Sequence, residues 1–179
     1  MSYAIRQITD AFAEAHPTMR NEDQDALKAL VHARARNLRD KGKIAATNRG
    51  GPGETATYSD ADVVAACTAL ALNLQGIPWG WIEAMNLRLR TVWSATGRPA
   101  FENTVDRVKA GEALFLTLKH YTAPWPHTEA TLEAAATSET EPESDEKTAI
   151  IAVGAEPGLT IVVPVTAVAK PVLDLLERA

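Results

Sequence analysis

Apolar residues recur three and four positions apart through the first half of the chain, and in near-continuous runs towards its end. Ile5, Ile8 and Phe12 share one helical face, which predicts a first helix over residues 3–15. His16-Pro17 ends it, because the residue before a proline leaves the helical region. Asn21 is placed to cap a second helix, with Gln24 three positions on as in a capping box. Leu27, Leu30, Val31 and Leu38 form one stripe of that helix; Lys28, His32, Arg36 and Arg39 form another on a different side. Gly42 supplies the left-handed residue that closes it.

Residues 44–47 and 55–58 then read as two short strands around the turn NRGGPGE. Ser59 caps a third helix, with Asp62 in the reciprocal position. Val63, Val64, Cys67, Leu70, Ala71 and Leu74 give it a buried face, and Gly76 ends it. Pro78 fits the first turn of a fourth helix, PWGWIEAMNLRLRTVW, and GRP at 97–99 breaks the chain. A short helix is expected over residues 102–109. ALFLTLKHY, TAIIAV and LTIVVPV are rich in β-branched and aromatic residues and read as strands, the last two joined by the turn GAEPG. VTAVAKPVLDLLERA closes the chain as a helix, with Pro171 either kinking it or marking a late start.

The 179 residues, 46% of them hydrophobic, suffice for a real core. No apolar run reaches the roughly 18 residues of a membrane span, and the start lacks a basic-then-apolar leader pattern. The expected location is the cytoplasm, in association with the nucleoid. A single cysteine rules out an internal disulfide framework or a thiolate-cluster zinc site, and Cys67 reads as a small core residue. The formal net charge of −5 hides a polarised chain. Arg34, Arg36, Arg39, Lys41, Lys43 and Arg49 stand close together against Asp40 alone, whereas residues 129–147 carry seven acids against Lys147. The stretch TSETEPESDEK is too polar to pack and reads as a mobile acidic loop, residues 137–147.

The glycine-rich turn raises the question of phosphate binding. No lysine follows the glycines and no long buried strand precedes them, so neither nucleotide-binding fingerprint fits. A basic helix, a tight glycine, a hairpin and a capped helix describe instead a winged helix-turn-helix. The segment ARARNLRDKGKI resembles the recognition-helix pattern of the MerR family of DNA-binding regulators, with Arg36 and Gly42 on that pattern's arginine and glycine. TYSDADV resembles the end of that family's wing, and LNLQGIPWGWI its following helix-turn. The resemblance covers residues 30–84. The family's aromatic pair is replaced by Asn37 and Leu38, and no long C-terminal dimerisation helix is evident. What it implies is a DNA-binding module and not the family's sensing behaviour.

The predicted fold class is therefore α+β: a winged helix-turn-helix domain, residues 1–97, followed by a small α/β domain, residues 98–179, with a three-stranded antiparallel sheet and a terminal helix. The expected DNA contacts are Lys28, His32, Arg34, Arg36, Asn37, Arg39, Lys41, Lys43, Asn48, Arg49, Gly50, Gly51 and Tyr58. A helix fits the major groove, where arginine offers paired donors to guanine. Arg36 is assigned to base edges or nearby phosphate and Arg39 to the backbone, while Arg34 points elsewhere. Asn48 and Arg49 reach a neighbouring phosphate or the minor groove. Gly50, Gly51 and Gly53 let the wing backbone approach the sugar-phosphate edge. Tyr58 either donates to a phosphate or packs the wing base, and Trp79, Trp81 and Trp93 read as core or interface.

His16, His32, His120 and His127 show no metal spacing, and no nucleophile motif appears, so neither an enzyme, a metal nor a cofactor is expected. The partner implied is double-stranded DNA, bound by a homodimer, since one module buries too little surface for useful specificity. TIVVPV and VLDLL are the candidate dimer surface, with a plain core role as the alternative. The competing function is a protein-interaction factor, an antirepressor or polymerase adaptor, docking through the winged fold, with the acidic loop or C-terminal domain as a possible contact. A third is an architectural factor in excision or packaging of DNA.

Overall fold

The computed structural model describes residues 1–17, 23–51, 53–90, 100–121, 127–134, 151–153 and 158–179. Among them the elements run β1 (Ser2–Tyr3), α1 (Ile5–Ala15), α2 (Gln24–Asp40), β2 (Tyr58–Ser59), α3 (Asp60–Leu74) and α4 (Trp79–Arg90). They continue with α5 (Ala100–Lys109), β3 (Leu114–Tyr121), β4 (His127–Ala134), β5 (Ile151–Val153), β6 (Gly158–Pro164) and α6 (Val165–Arg178). The class is α+β, as expected.

Several local expectations are met. Ile8 and Phe12 are buried on α1, and Val31 and Leu38 on α2, where Ala35 joins them, whereas Leu27 of the expected stripe is half-buried and Leu30 is exposed. Gly42 takes a φ of +69° beyond α2, and Gly76 a φ of +77° beyond α3. Ser59 and Asp62 make the reciprocal cap of α3. Other details differ. Tyr3 lies in a strand and not in the first helix, because β1 pairs antiparallel with β2, Ser2 opposite Ser59 and Tyr3 opposite Tyr58. Asp23 caps α2 by accepting the Asp25 amide N–H at 3.1 Å, while Asn21 lies outside the described residues. Gln24 turns away from the cap, and its side-chain amide donates to the Ala13 carbonyl of α1.

The expected hairpin of residues 44–47 with 55–58 is reduced to one pair. Asn48 and Thr57 exchange both backbone hydrogen bonds, at 3.1 and 2.8 Å. Their neighbours are engaged elsewhere: Ile44 is buried in the core, the Thr47 hydroxyl donates to Asp62, and Tyr58 pairs with Tyr3.

α3 is the axis of the molecule. The sequence predicts one buried face, but Val63 through Leu70 are buried without a break, as are Leu72 and Asn73. Helices α2, α4, α5 and α6 all pack against it, and a helix so enclosed must be apolar or small on every side. Its hydroxyl at Thr68 is satisfied by donating to the Val64 carbonyl at 2.8 Å. Burial raises the Cys67 thiol well above its usual pKa, leaving it an inert packing group.

The second sheet has four antiparallel strands in the order β4-β3-β6-β5, where three were expected. The extra strand, β4, starts just before the stretch read as acidic and runs into it, and Lys119 stands opposite Glu129 in its register with β3. The polar alternation of HTEATLEA suits a strand with one face in water, a signal that the acid count concealed. Leu114, Leu116 and Leu118 of β3 share the buried face with Ile161 and Val163 of β6. That placement corrects the proposed dimer surface: β6 is paired on both sides, and Val172, Leu173 and Leu176 of α6 are core. Pro171 lies inside one unbroken helix. The acidic loop 137–147, the GAEPG turn up to residue 157 and Trp93 lie outside the described residues.

One hydrophobic cluster contains residues from both sides of the boundary at 97/98. Helix α6 packs on α1 and α3, and the His16 ring bonds the Val168 carbonyl at 2.8 Å. Lys109 of α5 bridges Asp60 of α3 at 2.5 Å and Glu177 of α6 at 2.7 Å.

Candidate nucleic-acid interface

The basic segment begins on the C-terminal half of α2. With Val31, Ala35 and Leu38 locked into the core, geometry turns Ala29, Ala33, Arg36, Asn37 and Asp40 towards solvent. Arg36 and Asn37 are adjacent and exposed, flanking a ridge whose crest is Ala29, Ala33 and Asp40. Arg34 is exposed on the opposite flank from Arg36, as its spacing requires. Lys28 and His32 are only partly exposed, and the His32 Nδ1 lies 3.3 Å from the Thr9 hydroxyl of α1. His32 therefore serves the packing of α1 against α2.

Beyond α2 the cations separate. Lys41 places its Nζ 4.3 Å from the centre of the Trp79 ring, a cation–π contact. Lys43 pairs with Glu83 at 2.8 Å, its side chain only 15% exposed. The buried Asn86 amide donates to the Lys43 carbonyl. Three residues of α4, Trp79, Glu83 and Asn86, thus grip the segment after α2, which takes Lys41 and Lys43 out of the freely available charge. The Asn86 contact carries no sequence signal, since an asparagine in mid-helix reads as an ordinary polar position.

The loop from Asn48 to Thr57 is held by its own side chains. The Asn48 carboxamide oxygen accepts the Gly50 amide N–H at 3.0 Å, a turn that leaves Gly50 at φ +68°. A Cβ there would sit 2.9 Å from the Glu54 carbonyl, so only glycine fits without a shift. The Gly51 amide donates to the Glu54 carboxylate at 2.8 Å. An acid three residues on therefore already holds this backbone donor. At the loop's base, Asp62 accepts from the Ser59 amide, the Ser59 hydroxyl and the Thr47 hydroxyl. The same carboxylate that caps α3 therefore ties down the chain entering the loop.

Tyr58 is fully buried and packs the loop's base, the second of its two expected roles. Burial raises its phenol pKa, with nearby Arg39 acting in the opposite direction. Arg39 and Arg49 line one cleft of about 690 Å³ between the end of α2 and the loop, with Asp40, Glu54 and Tyr58 among its walls. Arg39 gives two hydrogen bonds to Asp40, at 3.0 and 2.8 Å. The cleft so combines two guanidinium groups with two carboxylates, less positive than the sequence stripe suggests.

Among the described residues no group of three or more histidine, cysteine or acidic side chains could hold a metal ion. Nor is any helix there long and apolar enough to cross a membrane. Comparison with protein-family models, with curated proteins and with solved structures finds no match to this chain.

Proposed function

We propose that the chain is a sequence-specific regulator that binds double-stranded DNA as a homodimer. In this reading α1 and α2 form a helix-turn-helix, the Asn48–Thr57 loop is the wing, and the C-terminal half of α2 enters the major groove. The observation that carries it is the exposed pair Arg36 and Asn37 flanking Ala29 and Ala33 on the solvent side of α2, beside a cleft shared by Arg39 and Arg49. Arginine can read guanine and asparagine can read adenine through paired hydrogen bonds. Alanine at 29 and 33 lets the helix axis come close to the base edges. Arg39 and Arg49 serve the backbone, where phosphates compete with Asp40 for the Arg39 guanidinium.

A labelled random-sequence duplex titrated over a salt series tests it. The logarithm of the binding constant falls with the logarithm of salt by about 0.9 per phosphate contacted. Arg36→Ala costs roughly 1–3 kcal/mol on a selected site and relaxes its base preference. No binding to duplex at low salt removes the reading. It would favour a protein-docking factor instead, which the mixed charge of the cleft, with Asp40 and Glu54 beside the arginines, supports.

A further inference from the structure

We propose that the cavity between α2 and the C-terminal part is a binding site for a small, uncharged, largely apolar molecule with one hydrogen-bonding group. The cavity measures about 430 Å³, within the usual range for small-ligand pockets. Five elements wall it: Phe12 of α1, Leu30 of α2, Leu74 of α3, Val163 of β6 and Val168 of α6 are representative. Leu30 and Leu74 are 46% and 36% exposed, two of the three large hydrophobic side chains described as exposed in this chain, and both line this one cavity.

The polar groups define the ligand further. No lysine, arginine, aspartate or glutamate is among the described lining residues, so an ionised guest would lose its water without a counter-charge. The polar side chains there are His16 and Gln75. The His16 ring lies 4.8 Å from that of Phe12, centre to centre, and its Nε2–H donates to the Val168 carbonyl at 2.8 Å. A carbonyl can only accept, so in the neutral ring Nδ1 carries the lone pair and accepts. Gln75 can both donate and accept. A bicyclic aromatic with one hydroxyl matches this combination of apolar walls, one ring acceptor and one amide.

The test uses 2-naphthol at neutral pH with the full chain, followed by titration calorimetry and by NOE contacts to assigned leucine and valine methyl groups. It needs no DNA, so its outcome is separate from that of the proposed function. The expected result is saturable one-to-one binding with contacts to Leu30 and Leu74. Naphthalene-2-sulfonate, the same ring carrying a charge, binds at least about tenfold more weakly. Ala71→Leu narrows the cavity from α3, and Leu30→Gln makes its mouth polar at an already exposed position; each weakens 2-naphthol by at least about tenfold. Melting curves confirm that both variants fold. Absence of saturable binding, equal affinity for the sulfonate, or unchanged affinity in both variants overturns the site.

Discussion

Two ionic contacts in this molecule use similar groups to opposite ends. On the α2 ridge, Arg39 pairs with its sequence neighbour Asp40, the two side chains 41% and 57% exposed. At the joint of α3, α5 and α6, Lys109 pairs with Asp60 and Glu177, which lie far away in sequence and are 17% and 38% exposed. The first pair is well hydrated, so exchanging Asp40 for another anion costs little. The second closes long loops of chain and is partly withdrawn from water, so losing one member leaves a poorly compensated charge, with only the Met1 ammonium at 3.8 Å still facing Asp60. The ridge is built to trade partners, and the joint to keep them.

The comparison is broken most severely from within the helix that carries Asp60. Leu70→Ala, at a fully buried position on α3, is expected to destabilise the chain by about 2–5 kcal/mol. Arg36→Ala on the ridge should stay within about 0.5 kcal/mol of wild type in the same urea titration. An equal loss for both would mean that the ridge is structural.

Lys109→Met comes next, at about 1–3 kcal/mol, because Asp60 keeps its burial and loses the nearer of its two cations, leaving only the Met1 ammonium at 3.8 Å. Its pH signature has a definite sign. Donating hydrogen bonds to Asp60 and then to Glu177 raises the Lys109 pKa above the ordinary value of 10.5. The folded chain therefore binds this proton more tightly than the unfolded one. The stabilisation is complete below about 10.5 and is lost as pH rises towards the folded value. Denaturation at pH 8 and pH 11.5 should show the gap between wild type and Lys109→Met narrowing at the higher pH.

Asn86→Ala leaves the Lys43 carbonyl without its donor and should cost about 1–2 kcal/mol. Amide hydrogen exchange should rise first in residues 41–48; a rise confined to α4 would show that Asn86 supports its own helix only. The smallest effect is expected for Asp40→Asn, within about 0.5 kcal/mol in stability. If the ridge binds DNA, the same substitution frees Arg39 and tightens binding to every duplex, read by anisotropy.

Much of the local structure was legible because its causes are local. The cap of α3 needs only Ser59 and Asp62 three residues apart, and Gly42 and Gly76 mark helix ends by tolerating positive φ. The exposed side of α2 follows from the spacing of Val31, Ala35 and Leu38. The candidate surface was legible only in part. Arg36, Asn37 and Arg49 are exposed as expected, but His32, Lys41 and Lys43 are engaged by Thr9, Trp79 and Glu83 from other elements. Sequence spacing cannot tell a free cation from one with a partner forty residues away. The strand β4 was missed because its acids resemble those of the polar segment after it, and only pairing with β3 distinguishes them.

By itself the sequence determined the helices, the cap of α3, the α+β class and most of the apolar stripes, since each depends on neighbours within one or two turns of chain. Tertiary structure alone decided that α3 is enclosed on all sides, that β6 is an inner strand, and that α6 joins both parts in one core. It also decided which charges stay free, because burial and ion pairing depend on which distant segments meet, and periodicity carries no record of that meeting.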